Sequence, residues 1–186
     1  MRIKQRPRVA GIPVDIDWRS FSLGAVLPLP YLAQSLPADE RVLDWLPVLL
    51  GAGVLAGILL ALGGLFHELG HVDAARLVGL AAESIRLGFA SRVTVFPGEA
   101  PQSLGPRTTL IVVLAGPLAT LAYAAVWIAM RPLVADVPLL GPVCDLLILV
   151  HVALAAFNLL PVGPSDGRLA LTAANRLFRS TARPAH

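Results

Sequence analysis

The run Phe66-His67-Glu68-Leu69-Gly70-His71 holds the residues whose types and spacing could do chemistry. On a helix, side chains four apart share a face with Cβ atoms about 6 Å apart, so His67 and His71 can grip one metal ion between them. Glu68 then stands beside the ion, where its carboxylate can take a proton from a water that the ion has acidified to a pKa of about 7. That is the chemistry of a zinc hydrolase. With four His and four Glu in 186 residues, random order would produce His-Glu-x-x-His roughly twice in a thousand such chains. The pattern therefore outweighs the plainer reading, a pair of core histidines bonded to backbone. Cys144 is the single cysteine, so any metal must be held by histidine and carboxylate.

The elements that position this motif are membrane helices. The chain is 56% hydrophobic and 15% charged, with a mean hydropathy of +0.73, far from the balance of a soluble domain. Trp45 to Phe66 runs 22 residues without a charge and leads straight into the motif; at 1.5 Å per residue it predicts a spanning helix. Thr108 to Met130 and Leu139 to about Leu160 predict two more. Ala115-Gly116-Pro117 in the first of these permits close helix approach and a kink. A further apolar run, Phe21 to Leu36, is short and broken by Pro28 and Pro30. The fold class expected is mainly α, a polytopic membrane protein of about four transmembrane helices with a small membrane-associated sheet or hairpin. Residues 1–186 are read as one membrane-embedded core.

Within residues 1–20, Ile12, Val14 and Ile16 alternate with polar or proline positions, which predicts a strand, and Pro13 puts it at a sheet edge. The segment is not read as a removable signal peptide, because no small-residue cleavage site follows a short apolar core. Residues 80–107 include Ser91-Arg92-Val93-Thr94-Val95-Phe96 and predict a hairpin or re-entrant strand pair. Residues 167–186 form a basic tail that predicts one interfacial helix.

Charge orients this map. If four helices cross with both termini cytoplasmic, inner segments 1–20, 72–107 and 163–186 hold five, four and four Lys or Arg, against Arg41 and Arg131 outside. That is a strong positive-inside bias. Basic residues thus flank apolar runs, and no nucleic-acid partner is implied despite a net charge of +3. Fourteen Arg to one Lys points to a GC-rich genome and a bacterial cytoplasmic membrane. The second and fourth helices then run the same way, and each carries a polar motif at its inner end. Asp166, in the second of these, becomes the natural third ligand, leaving one position open for water. An Asp followed by Gly is also a common helix cap; its match in depth to His67 and His71 favours the ligand.

The combination of His67-Glu68-Leu69-Gly70-His71 with Asn158-Leu159-Leu160-Pro161 and Asp166-Gly167 resembles the site-2 protease family of intramembrane zinc metalloproteases. Gly11-Ile12-Pro13-Val14 and Ala115-Gly116-Pro117 are similar to that family too. The resemblance implies Zn2+ held by His67, His71 and Asp166, Glu68 as catalytic base, and Asn158 against the substrate or the developing oxyanion. The implied partners are the lipid bilayer and a membrane-protein substrate with a transmembrane helix. The sequence departs from the family pattern at Ser165, where an apolar residue is usual, at Gly167-Arg168 for two glycines, and at Leu87-Gly88-Phe89 for Leu-Gly-Gly. Residues 80–107 are too few to contain a PDZ domain.

Other readings remain beside these. Asn158 could instead make a hydrogen bond between helices, and His151 reads as packing or as support for the site. Glu83, Glu99 and Asp145 read as solvated or interfacial. A non-proteolytic chaperone or assembly module that keeps the fold is the alternative function.

Overall fold

Proline breaks the first apolar run. In a computed structural model, which describes residues 7–39, 41–88, 92–96 and 105–181, that run forms two short helices, α1 (Trp18–Val26) and α2 (Leu29–Gln34). Pro28 stands at the N-cap of α2 and Pro30 in its first turn, where a missing N–H costs nothing. The charge-free stretch after it continues through the His-Glu-x-x-His motif as one helix, α3 (Leu46–Leu77). Two more long helices follow, α4 (Pro106–Met130) and, after a 3-10 turn at Arg131–Val134, α5 (Leu140–Leu159). These three helices are long and apolar enough to cross a membrane, and the protein is a multi-pass membrane protein.

The short pair α1–α2 runs antiparallel to α3. Gly24 and Ala25 lie against Gly57, Ala25 and Leu29 against Gly53, and Leu32 packs with Leu49, Ala52 and Ala56. A Cβ on Gly57 would come within 2.8 Å of the Ala25 backbone, so glycine is what lets the two backbones meet. The apolar run expected as a fourth span thus traverses the same layer as α3, as a broken helix.

The chain leaves and re-enters one small sheet around this crossing. Strands β1 (Arg8–Val9), β2 (Ile12–Ile16), β3 (Ser84–Leu87) and β4 (Arg92–Val95) lie in the order β1-β2-β3-β4. The first and last pairs are antiparallel and the central pair is parallel, with Val14 opposite Ile85. Ile12, Val14 and Ile85 bury their side chains against Val72 of α3, so the sheet is fastened to the helix one residue past His71. The expected edge position of β2 is corrected: β2 lies between β1 and β3. Pro13 fits there because it pairs with Arg8 beside a bond from the Val14 N–H to the Pro7 carbonyl, 2.8 Å. That register asks no N–H of Pro13 on the β1 side, and pairing with β3 begins only at Val14.

The last helix, α6 (Asp166–Thr181), packs mainly on α4. Ser165 is its N-cap: the Ser165 Oγ accepts from the Arg168 N–H at 3.3 Å and donates to the Leu160 carbonyl at 2.5 Å. The hydroxyl that departs from the family pattern therefore ties the end of α5 to the start of α6. Gly167 is needed at this joint, since a Cβ would overlap the Leu159 carbonyl. At the opposite end of the bundle Asp145, partly exposed as a solvated or interfacial residue is, also makes an ion pair. Arg131 donates to it through Nε at 2.6 Å and Nη2 at 3.0 Å, a two-pronged pair that clamps the α4–α5 turn. Glu83 is exposed as expected, while Glu99 and residues 182–186 lie outside the described residues.

Candidate metal centre

His67, Glu68 and His71 occupy one buried face of α3, only 5%, 3% and 8% exposed. About 9 Å of helix, six residues, separates His71 from the last residue of α3. The centre thus sits inside the helical layer, close to the sheet. Asp166, at the first position of α6, comes from the far end of the chain to meet them: its two carboxylate oxygens lie 3.3 Å from His67 Nε2 and 3.5 Å from His71 Nε2. The two Nε2 atoms are 3.1 Å apart. These three residues are the group among the described residues able to hold a metal ion.

Hydrogen bonds on the far side of each ring fix the protons. His71 Nδ1 lies 2.8 Å from the Val112 carbonyl, which can only accept, so Nδ1 carries the hydrogen and Nε2 a lone pair. His67 Nδ1 lies 2.9 Å from Thr120 Oγ1. That hydroxyl gives its own proton to the Gly116 carbonyl, 3.1 Å away, and so accepts from His67. His67 Nε2 is a lone pair as well. Two nitrogen lone pairs and a carboxylate converge at 3.1 to 3.5 Å, an arrangement that repels unless a cation lies among them. Ligand bonds of about 2.0–2.2 Å in a tetrahedron put donor atoms about 3.3–3.6 Å apart. The donor set fits a metal ion in its spacing, its tautomers and its chemistry.

Burial on its own would raise the carboxyl of Asp166, so a cation among the three groups, and not a hydrogen bond from either Nε2 lone pair, is what would hold it ionised. The start of α6 adds the favourable end of a helix dipole. Asp166 would serve the ion as a carboxylate ligand.

The α4 backbone is shaped to the two rings. A Cβ on Gly116 would collide with the His71 ring and reach 2.9 Å from His67 Nε2. Pro117 lies inside α4, where it withholds an N–H from the Val113 carbonyl, the residue after the one whose carbonyl accepts from His71. Gly70 is the crossing point of α3 on α4: a Cβ there would meet the Ala115 carbonyl at 2.6 Å and Ala119 at 2.8 Å. The glycine within the motif thus sets how close the helices come, and hence whether Val112 and Thr120 reach the rings.

Glu68 faces the sheet. Its Oε2 accepts a hydrogen bond from Thr94 Oγ1 of β4 at 2.7 Å. Thr94, Thr120 and Val112 escape a reading of the sequence. For Thr120 a signal existed, a hydroxyl one turn after Gly116 in an otherwise apolar span; for Thr94 and Val112 there was none.

Asn158 ends up half-buried in the last turn of α5. Its side chain makes no hydrogen bond among the described residues, so the interhelical bond that would have explained it is missing there. His151 is fully buried, with Nδ1 2.7 Å from the Leu147 carbonyl and its ring 4.7 Å from that of Tyr123. A Cβ on Gly63 would overlap the same ring. His151 is packed one turn before His67 on the neighbouring helix, outside the metal triad.

With this geometry described, the chain can be set beside known proteins. No family model matches it. It is 34% identical over 169 residues to the putative zinc metalloprotease Rip3 of Mycobacterium tuberculosis, covering 86% of this chain and 40% of that protein. It is 29% identical over 160 residues to the putative zinc metalloprotease sll0528 of Synechocystis, covering 84% of this chain and again 40% of the relative. The chain thus spans less than half the length of either curated relative. Among solved structures it superposes on the site-2 protease from Methanocaldococcus jannaschii with a TM-score of 0.56 at 23% identity, over 91% of this chain and 69% of the other. That likeness is one of fold.

Proposed function

This chain is a relative of the site-2 protease family, and from that premise we propose that it is a zinc-dependent endopeptidase. It hydrolyses a peptide bond within or near a transmembrane helix of another membrane protein. Its place is the bacterial cytoplasmic membrane, with both termini in the cytoplasm, following the distribution of Lys and Arg. The observation that carries this reading is the convergence of the two Nε2 atoms and the Asp166 carboxylate, with Glu68 buried on the same helix and held by Thr94.

His67, His71 and Asp166 would hold the zinc, which when bound supplies a Lewis acid for the scissile carbonyl and a readily deprotonated water. Glu68 takes the proton from the attacking water and returns it to the leaving amine. Val112 and Thr120 keep both imidazoles in the ligating tautomer through the cycle. Asn158, with its amide uncommitted among the described residues, donates to the substrate carbonyl as negative charge develops on it. The low exposure of the centre excludes bulk water and strengthens each of these interactions.

The substrate helix must open before its carbonyl can reach the site, because a regular helix uses that carbonyl internally and shields it with side chains. An opened strand pairs with the sheet by main-chain bonds, which are indifferent to side chain. Two segments carry strands that such a chain could meet, residues 9–17 and 84–96; the first includes β2, which is enclosed by β1 and β3. β4 is the terminal strand among the described residues, lies beside Glu68, and receives the substrate.

The test is zinc analysis of the purified protein together with cleavage of co-expressed single-span proteins, wild type against Glu68→Gln. Zinc near one per chain in both, with proteolysis lost in the variant, is expected. Absence of cleavage by the wild type across such substrates, or full cleavage by Glu68→Gln, overturns the proposal.

A further inference from the structure

Thr94 sits where the sheet and the base meet. Its hydroxyl donates to Glu68 Oε2 at 2.7 Å and lies 3.4 Å from the carbonyl of the same residue. A hydroxyl has one proton, and the shorter, charged acceptor takes it. One carboxylate oxygen of Glu68 is thereby occupied, which fixes the side chain and leaves the other oxygen as the proton acceptor. Thr94 is itself immobilised from behind: its pairing partner in β3 is Ile85, fully buried against Ile12, Val14 and Val72.

The backbone of the same residue has a second use. The Val95 carbonyl accepts from the Glu83 N–H at 2.8 Å, so the main-chain groups of Val95 point into the sheet. Along a strand these groups alternate in direction. Those of Thr94 therefore point away from β3, to the side on which β4 has no further strand among the described residues.

We propose that Thr94 is a positioning residue that holds Glu68 for proton transfer while its own N–H and C=O bind the incoming substrate strand, so that docking and alignment of the base are one event. This inference rests on the proteolytic reading above and adds to it a residue that couples binding to chemistry. A substrate strand seated on β4 stiffens Thr94, and through the hydroxyl it stiffens Glu68. A strand that pairs out of register leaves the base unsupported.

The experiment compares full-length wild type with Thr94→Val, Thr94→Ser and Glu68→Gln in lipid nanodiscs, measuring zinc content, kcat and KM on a single-span substrate. Thr94→Val keeps the shape and the main-chain groups but loses the proton. It should retain zinc and a KM within about twofold, while kcat falls by about ten- to a hundredfold, the scale expected for a misplaced catalytic group. Thr94→Ser should restore kcat to within about threefold. A Thr94→Val kcat equal to wild type, loss of its zinc, or Thr94→Ser as slow as Thr94→Val each overturns the inference, the last two by making the residue merely structural. If Glu68→Gln cleaves at the wild-type rate, the proteolytic reading itself fails. If Glu68→Gln is inert and Thr94→Val is unimpaired, only the role of Thr94 fails.

Discussion

Gly116→Ala puts a methyl group in place of a hydrogen at the most crowded point of the metal centre. The new Cβ would lie 2.9 Å from His67 Nε2 and closer still to the His71 ring. Ordinary contact between such atoms is about 3.5 Å, so the His67 ring must retreat by about 0.6 Å and that of His71 by more. Metal sites tolerate ligand displacements of only about 0.2 Å. The rings cannot yield sideways, because Thr120 and Val112 hold their Nδ1 atoms from α4 itself. We therefore expect zinc affinity to fall at least about a hundredfold, equivalent to roughly 2.7 kcal/mol. The metal-free protein should lose about 1–3 kcal/mol from overpacking. Competition against a calibrated zinc chelator gives the first quantity, and unfolding in the presence of excess chelator gives the second. A variant that binds zinc within threefold of wild type would show that α4 and the rings are not fitted to each other in this way.

Four further outcomes are expected. Asp166→Asn removes the anion that faces both Nε2 atoms, so zinc affinity and cleavage rate should fall together, as read by metal analysis and the substrate assay. Thr120→Val frees His67 to adopt the wrong tautomer and should weaken zinc by about 10- to 100-fold with little change in helicity; an unchanged affinity would count against the tautomer argument. Ser165→Ala removes the cap of α6 and should cost about 1 kcal/mol in thermal or denaturant unfolding. Replacing Gly, Pro or Asn near the cleaved bond of a substrate with Leu should slow its cleavage, because Gly and Pro weaken a helix by about 1 and 3 kcal/mol relative to Ala; equal rates would refute the need for unwinding.

What could be read from the sequence follows from how local each signal is. The helices α3, α4 and α5 are announced by apolar length alone, and the prolines at 28 and 30 mark the weak first passage. His67, Glu68 and His71 are brought together by helical spacing, which needs no knowledge of the fold. Asp166 needs only the number of crossings and their direction to be placed at the same depth. Pro13 misled because its residue type was read without β1, a two-residue strand too short to have a periodicity. The ion pair of Asp145 was not legible because its partner, Arg131, lies across a turn. The bond from Thr94 to Glu68 depends on the angle at which a sheet meets a helix, and no pattern along the chain encodes that angle.

The ligands of the metal centre are not neighbours in chain order. His71 precedes Asp166 by 95 residues, and at synthesis rates of about 5–20 residues per second the two emerge roughly 5–20 s apart. During that interval His67, Glu68 and His71 exist without Asp166. With only two of three ligands present, zinc is held loosely, and α6 is not there to close the site. Birth order thus sets the time of assembly: the three ligands can meet only once α6 has been made and docked.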